Sequence, residues 1–184
     1  MNGDAVELGE VRWLAGKCGL AVDELPEPVL VSTLLHHGKA TPALDAYLTW
    51  WLGHSDPDSN FERKTRWLRW MPARVVLRIM IWLGYDGLLY RSEDEIVGHV
   101  FFQQHGTSLC AFSLALAGKL QGRGLSSVLM LDFVAHAGSL GGIMRAHIGT
   151  GRNRVTNRAH EILRASETHL PLHVTPDGWI AFER

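Results

Sequence analysis

The sequence predicts a single mixed α/β domain, an α+β mixed sheet preceded by a helical segment. Three observations predict it. The chain has 184 residues, enough to bury one sizeable core and too few for two domains of ordinary size. Apolar residues recur at helical spacing through residues 1–84 and in strand-like runs through residues 87–184. A glycine-rich turn at 118–124 joins a long apolar run to an apolar helix, the junction expected inside an α/β core.

In the first half, Pro28 opens a segment in which Val29, Leu30, Val31, Leu34 and Leu35 fit one helix face, and Gly38 closes it. Thr41-Pro42 caps the next helix, whose stripe is Leu44, Tyr47, Leu48 and Trp51, ending at Gly53. The polar run His54–Asn60 is a loop, and Phe61–Met71 is helical up to Pro72. Val75, Val76, Ile79, Met80 and Leu83 fit a helix face between Pro72 and Gly84. A strand through Val75, Leu77, Ile79 and Ile81 stays open as the alternative.

In the second half, Gly87–Ser92 and Ile96–Gln104 flank a turn at Glu93–Glu95 and form a β-hairpin. His105-Gly106 turns the chain into Thr107–Ala117, apolar enough for a central strand buried on both faces. A helix at Ser126–Ala137, a strand at Gly142–Ile148 and a helix at Thr156–Ser166 follow. Leu170–Phe182 closes the chain as a hairpin turning at Thr175–Gly178.

Composition narrows the functional classes. A hydrophobic fraction of 46% with 20% charged residues excludes wholesale disorder. A net charge of −1 supplies no global attraction to nucleic acid, so any such contact must come from a local patch. The only cysteines, Cys18 and Cys110, stand in no metal-ligand spacing, which excludes a disulfide scaffold and a cysteine-rich zinc site. No basic, apolar leader opens the chain and no apolar run is long enough to cross a bilayer, so a cytoplasmic location is expected.

The segment that carries chemistry runs Leu116-Ala117-Gly118-Lys119-Leu120-Gln121-Gly122-Arg123-Gly124-Leu125-Ser126-Ser127. A glycine-rich turn entering a helix exposes consecutive N–H groups beside the positive end of the helix dipole, a ready site for phosphate or pyrophosphate. Gly122 and Gly124 let an anion approach the backbone without a Cβ in the way. Ser126 and Ser127 are cap residues whose hydroxyls can donate to phosphate. A P-loop is absent, and G-x-G-x-x-G fails at Ser127. A purely structural strand-to-helix turn is the alternative for the same glycines.

Gln121-Gly122-Arg123-Gly124-Leu125-Ser126 resembles motif A, Q/R-x-x-G-x-G/A, of the GNAT superfamily of acyl-CoA-dependent N-acyltransferases. Around it stand the family's hairpin (Gly87–Gln104, with Glu95-Ile96-Val97-Gly98 similar to its entry), its preceding strand, its following strand and its asparagine-led helix at Asn157-Arg158-Ala159. The resemblance covers residues 87–184 in order. It implies a GNAT-like fold with residues 1–84 as a helical acceptor-side segment and 87–184 as an acyl-CoA-binding core. Acetyl-CoA or another acyl-CoA would be the co-substrate, without metal. Its pyrophosphate would lie on the amides of Gln121, Gly122, Arg123, Gly124, Leu125 and Ser126, with Ser127 and Asn157 as further contacts. The Leu116 N–H would polarise the thioester carbonyl. The central strand would splay from the next to admit the pantetheine arm, and a deprotonated amine would attack the thioester directly.

Two departures stand out. Ser126 replaces a small residue, a mild change. The tyrosine that the family often uses to protonate the leaving thiolate is missing: the tyrosines are Tyr47, Tyr85 and Tyr90, and Leu163 falls at the expected place. That absence supports a competing reading, a non-catalytic acyl-CoA-binding module. His147 is the candidate general base, with a hydrogen-bonded structural histidine as its alternative. Asn157 serves as helix cap or cofactor contact. His160 and Glu161 belong on a solvated face, and Cys110, alternating with Phe112 beside Ser113, reads as a small core residue.

Charge is unevenly spread. Residues 61–80 carry Arg63, Lys64, Arg66, Arg69, Arg74 and Arg78 against Glu62 alone, interleaved with Trp67, Trp70 and the adjoining Trp82. They suit an amphipathic segment with tryptophans inward, or a surface for an anionic substrate, RNA or a membrane. The RNA option motivates a third reading, a toxin acetylating charged tRNA. Arg145, Arg152, Arg154, Arg158 and Arg164 form a second cluster that can meet the phosphates of CoA or line a solvated helix. Trp50, Trp51, Trp67 and Trp70 raise an apolar acceptor or longer acyl chain beside ordinary core packing. The expected partners are a small-molecule or peptide amine and a second copy of the chain.

Overall fold

The computed structural model describes residues 6–36, 44–47, 70–93, 95–149 and 154–183. Among these residues seven strands form one sheet: β1 Pro28–Leu30, β2 Tyr85–Ser92, β3 Glu95–His105, β4 Ser108–Leu116, β5 Arg145–His147, β6 Leu172–Val174 and β7 Trp179–Phe182. The spatial order is β1-β2-β3-β4-β5-β7-β6, antiparallel except at the central β4–β5 pair. The helices are α1 Leu8–Lys17, α2 Val31–His36, α3 Ala73–Trp82, α4 Leu125–Ser139 and α5 Arg154–Ser166. The mixed α/β class and the strand-helix succession after residue 85 therefore stand as the sequence predicts.

Alternation along each strand sends apolar side chains to both faces of the sheet. One face, with Val97, Val100, Phe102, Leu109, Ala146 and Ile180, packs against α1, α4 and α5. The other, with Leu89, Ile96 and Phe101, packs against α2, the helical turn Leu44–Tyr47 and α3. Helix α4 is apolar almost all round because it is buried all round, and its one ionisable side chain before His136, Asp132, is fully buried. That carboxylate accepts from Arg12 of α1 at 3.0 and 2.7 Å and from the Tyr90 hydroxyl of β2 at 2.9 Å. Helix, sheet and N-terminal helix are thus pinned at one point.

Several expectations change. Pro28–Leu30 is a strand, not the start of a helix: it pairs with Leu88–Tyr90 at the sheet edge, where proline's missing N–H costs no ladder bond. The helix begins only at Val31. Residues 73–82 are helical, which decides against the strand alternative. Their buried face is Val76, Leu77 and Met80, while Val75 and Leu83 are exposed. Trp70 and Trp82 do not pack inward. With Arg74 and Arg78 they recur every four residues on the outward side, at 92% and 83% exposure.

β4 is central, yet Cys110–Ala115 are half-buried rather than enclosed on both faces. The expected helix around Thr41–Gly53 apart from Leu44–Tyr47, the loop at 54–60 and the helix at 61–69, with Trp50, Trp51, Trp67 and most of the first basic cluster, lie outside the described residues.

Candidate functional site

The half-burial of β4 has a topological cause. Among the described residues β5 pairs with β4 only at Ser108–Arg145, Leu109–Ala146 and Cys110–His147, so beyond Cys110 the central strand loses its neighbour. Register shows which peptide groups this opens. Ala117 donates to the Val97 carbonyl at 2.8 Å, and Gly98 is paired with Leu116. Hydrogen-bonded and non-bonded pairs alternate in an antiparallel ladder, so Leu116 and Leu114 aim their N–H and C=O away from β3, into the split.

The chain leaves β4 through a 3-10 turn at Gly118–Leu120 and enters α4 at Leu125. Gly122 and Gly124 hold φ of +80° and +75°, left-handed values that disfavour any side chain. The Gln121 N–H bonds to the Gly118 carbonyl at 3.2 Å and the Ser127 N–H to the Gly124 carbonyl at 3.0 Å. Between them, the amides of Gly122, Arg123, Gly124, Leu125 and Ser126 meet no backbone acceptor among the described residues, and the helix has no side-chain cap. The run of available donors is therefore 122–126, one shorter than the sequence suggests. It lies at the positive end of a 15-residue helix.

The side chains around this turn mostly hold the loop itself. Gln121 donates from its amide to the Leu116 carbonyl at 2.9 Å, tying the turn back to the strand. Arg123 pairs with Glu24, and Leu20 packs so closely on Gly124 that a Cβ there would meet its Cδ2 at 2.8 Å. The Ser127 hydroxyl, expected at the phosphate, is buried and donates to the Val155 carbonyl at 3.3 Å. Ser126, by contrast, is partly exposed.

Asn157 is exposed and lies three residues inside α5, so it is not that helix's cap. Arg158 reaches the Cys18 carbonyl at 3.2 Å and Glu161 at 3.1 Å. Arg145 lies over the Trp179 ring at 4.2 Å and donates to Ser108.

His147 sits at the last paired position of β5, opposite Cys110, where the split begins. Its ring is 4.8 Å from Trp179, and its Nδ1 accepts from the Gly149 N–H at 3.3 Å. Partial burial, then the nearby His160, holds its pKa below the ordinary histidine value, leaving it neutral and able to accept a proton. His160 is not on a solvated face as expected: its Nε2 is 3.1 Å from the Gly149 carbonyl. Burial holds the Cys110 thiol above its usual pKa, against the pull of Arg145, which suits a packed thiol rather than a nucleophile.

A polar chain that no sequence motif announces links β3, β4 and the Leu44–Tyr47 turn. His99 on β3 is fully buried, with Nδ1 against the Tyr47 hydroxyl and Nε2 3.1 Å from the Ser113 Oγ. Burial pushes His99 down to about 3 and raises Tyr47, so the imidazole is neutral and the phenol keeps its proton at neutral pH. Ser113 pairs with Phe101 of β3 and lies past the end of the β4–β5 pairing, next to a bulge at Phe112 that the register shift records. The available signal was a histidine at an inward position of an apolar strand.

No family model matches the chain, and no curated protein matches it. Solved structures resemble it. An acetyltransferase of the GNAT family from Streptococcus pneumoniae is 14% identical, with 78% of this chain and 90% of that one covered at a TM-score of 0.47. RimL, a ribosomal L7/L12 alpha-N-protein acetyltransferase in complex with coenzyme A, is 16% identical over 73% and 76%, at 0.47. Tetrahymena GCN5 is 12% identical over 86% and 96%, at 0.43. Likeness at this level assigns no role to any residue here.

Proposed function

We propose that the chain is an acyl-CoA-dependent N-acyltransferase that moves acetyl from acetyl-CoA to an amine by direct attack. One observation carries the reading: the central strand parts from β5 after Cys110 and, at its far end, delivers five consecutive amides, 122–126, to the start of α4. A slot beside a strand and an anion cradle at its end suit a ligand with a thioester at one end and a pyrophosphate further along its arm. The amides bind the pyrophosphate at the positive end of the helix, and the two glycines supply the left-handed backbone that the turn requires. The Leu116 N–H, aimed into the split, polarises the thioester carbonyl. Asn157 and the Ser126 hydroxyl contact the coenzyme, and His147 at the mouth of the split is a candidate base for the amine.

Leu163 favours a second reading. It is buried in the core at the position where the family resemblance places a thiolate-protonating tyrosine, which fits a module that binds acyl-CoA without turning it over. Thiol release from acetyl-CoA, followed across a panel of primary amines, separates the two. Amine-dependent release supports the transferase, and tight binding without release supports the module. For the transferase, His147→Ala lowers turnover and leaves acetyl-CoA binding intact.

A further inference from the structure

Resting on the transferase reading, we propose that the Ser113 hydroxyl carries the acceptor amine's proton to the departing thiolate, with His99 and Tyr47 as positioning residues behind it. The place is right on three counts. Ser113 belongs to the stretch of β4 that has lost β5, between Cys110, where pairing stops, and Leu116, whose N–H faces the split. Its side chain lies on the sheet face covered by α2 and α3, because it meets His99, whose ring stacks 4.5 Å from Phe101 of that core. That is the face opposite the helix whose N-terminus forms the cradle, so an acceptor entering there meets the thioester from the far side of the coenzyme. The bulge at Phe112 turns this part of the strand, a device that re-aims side chains beside active sites.

Behind Ser113 stands the fully buried His99. His99 sits between two hydroxyls, Tyr47 on one ring nitrogen and Ser113 on the other, so its tautomer and ring angle are set from both sides. A phenol that holds its proton and an imidazole that stays neutral do not themselves take up charge; they fix the direction of the Ser113 hydroxyl. In the step, the amine nitrogen forms the C–N bond as the C–S bond breaks, and sulfur leaves with the bonding pair. Ser113 Oγ takes the proton released by nitrogen and gives its own to sulfur. The hydroxyl ends unchanged, and the products are the amide and the free thiol. The role left vacant at Leu163 is thereby filled from the other side of the slot.

The full chain is tested as parent, Ser113→Ala, Ser113→Thr and Tyr47→Phe. Calorimetry measures acetyl-CoA binding, and thiol release is followed with spermidine, a peptide with a free N-terminus and an aminoglycoside. Ser113→Ala is expected to bind acetyl-CoA within about twofold of the parent and to lose about 100-fold in kcat, with the amine KM little changed. Ser113→Thr, which keeps a hydroxyl, recovers most of the loss, and Tyr47→Phe loses about tenfold in kcat alone. A Ser113→Ala variant within about threefold of parental kcat overturns the relay and leaves the transferase reading standing. So does loss of acetyl-CoA binding in that variant, or failure of Ser113→Thr to recover turnover. A parent that binds no acetyl-CoA, or binds it without releasing thiol, overturns both.

Discussion

Acid unfolding reads the burial of His99 directly. The side chain is fully buried, and burial holds its pKa at about 3 against 6.5 for a free histidine. As pH falls, the unfolded chain protonates this imidazole near its ordinary value while the folded chain refuses the proton until far lower. The unfolded state then binds more protons, so the stability contributed by neutral His99 is fully present above about pH 6.5 and is lost progressively below it. The slope approaches about 1.4 kcal/mol per pH unit, which makes the loss between about pH 7 and pH 5 about 2 kcal/mol. His136, also lowered by burial, adds to the loss, whereas Asp132, raised chiefly by burial, works in the opposite direction at the acid end. Comparing the parent with His99→Gln cancels both. Urea unfolding at constant ionic strength, at about pH 7, 6 and 5, should give a stability difference between the two that shrinks by about 2 kcal/mol on acidification. A difference independent of pH refutes the reasoning, whatever the variant's absolute stability.

Three further perturbations separate the fold from the site. Arg12→Met leaves the buried Asp132 carboxylate with Tyr90 as its one partner among the described residues and should cost about 3–5 kcal/mol in urea unfolding, much of it recovered by adding Asp132→Leu. Gly124→Glu, at φ +75° against Leu20, places a carboxylate over the amide cradle and should weaken acetyl-CoA at least 100-fold, by about 2.7 kcal/mol or more. Gly122→Ala, at φ +80° with open space for its Cβ, costs only about 1–2 kcal/mol of backbone strain and should keep most of the affinity.

Local signals were legible in the sequence, and contacts between distant segments were not. The hairpins β2–β3 and β6–β7 were readable because their turns and alternation lie within a few residues of each other. Helix α4 was readable because Gly124 and the apolar run that follows it are adjacent. β1 was misread because Val29, Leu30 and Val31 serve helix and strand alike, and only the partner strand more than fifty residues on decides. The expected enclosure of β4 failed for a similar reason: its composition is apolar, but its exposure depends on where β5 stops. His99, Tyr47 and Ser113 lie 52 and 14 residues apart, so nothing short of the register could assemble them. In the glycine loop the pattern of donors was legible, but the use of the Gln121 amide and the Ser127 hydroxyl inside the fold was not.

Titration calorimetry comparing acetyl-CoA with S-acetylpantetheine, which keeps the thioester and arm but lacks the twin phosphates and the adenosine 3′-phosphate beyond them, in the parent and in Gly124→Glu, tests the grip of residues 122–126. Acetyl-CoA should bind at least 100-fold more tightly, a difference of about 2.7 kcal/mol that Gly124→Glu erases. Equal affinity for the two, or no heat from either, would contradict the assignment of those five amides to a coenzyme.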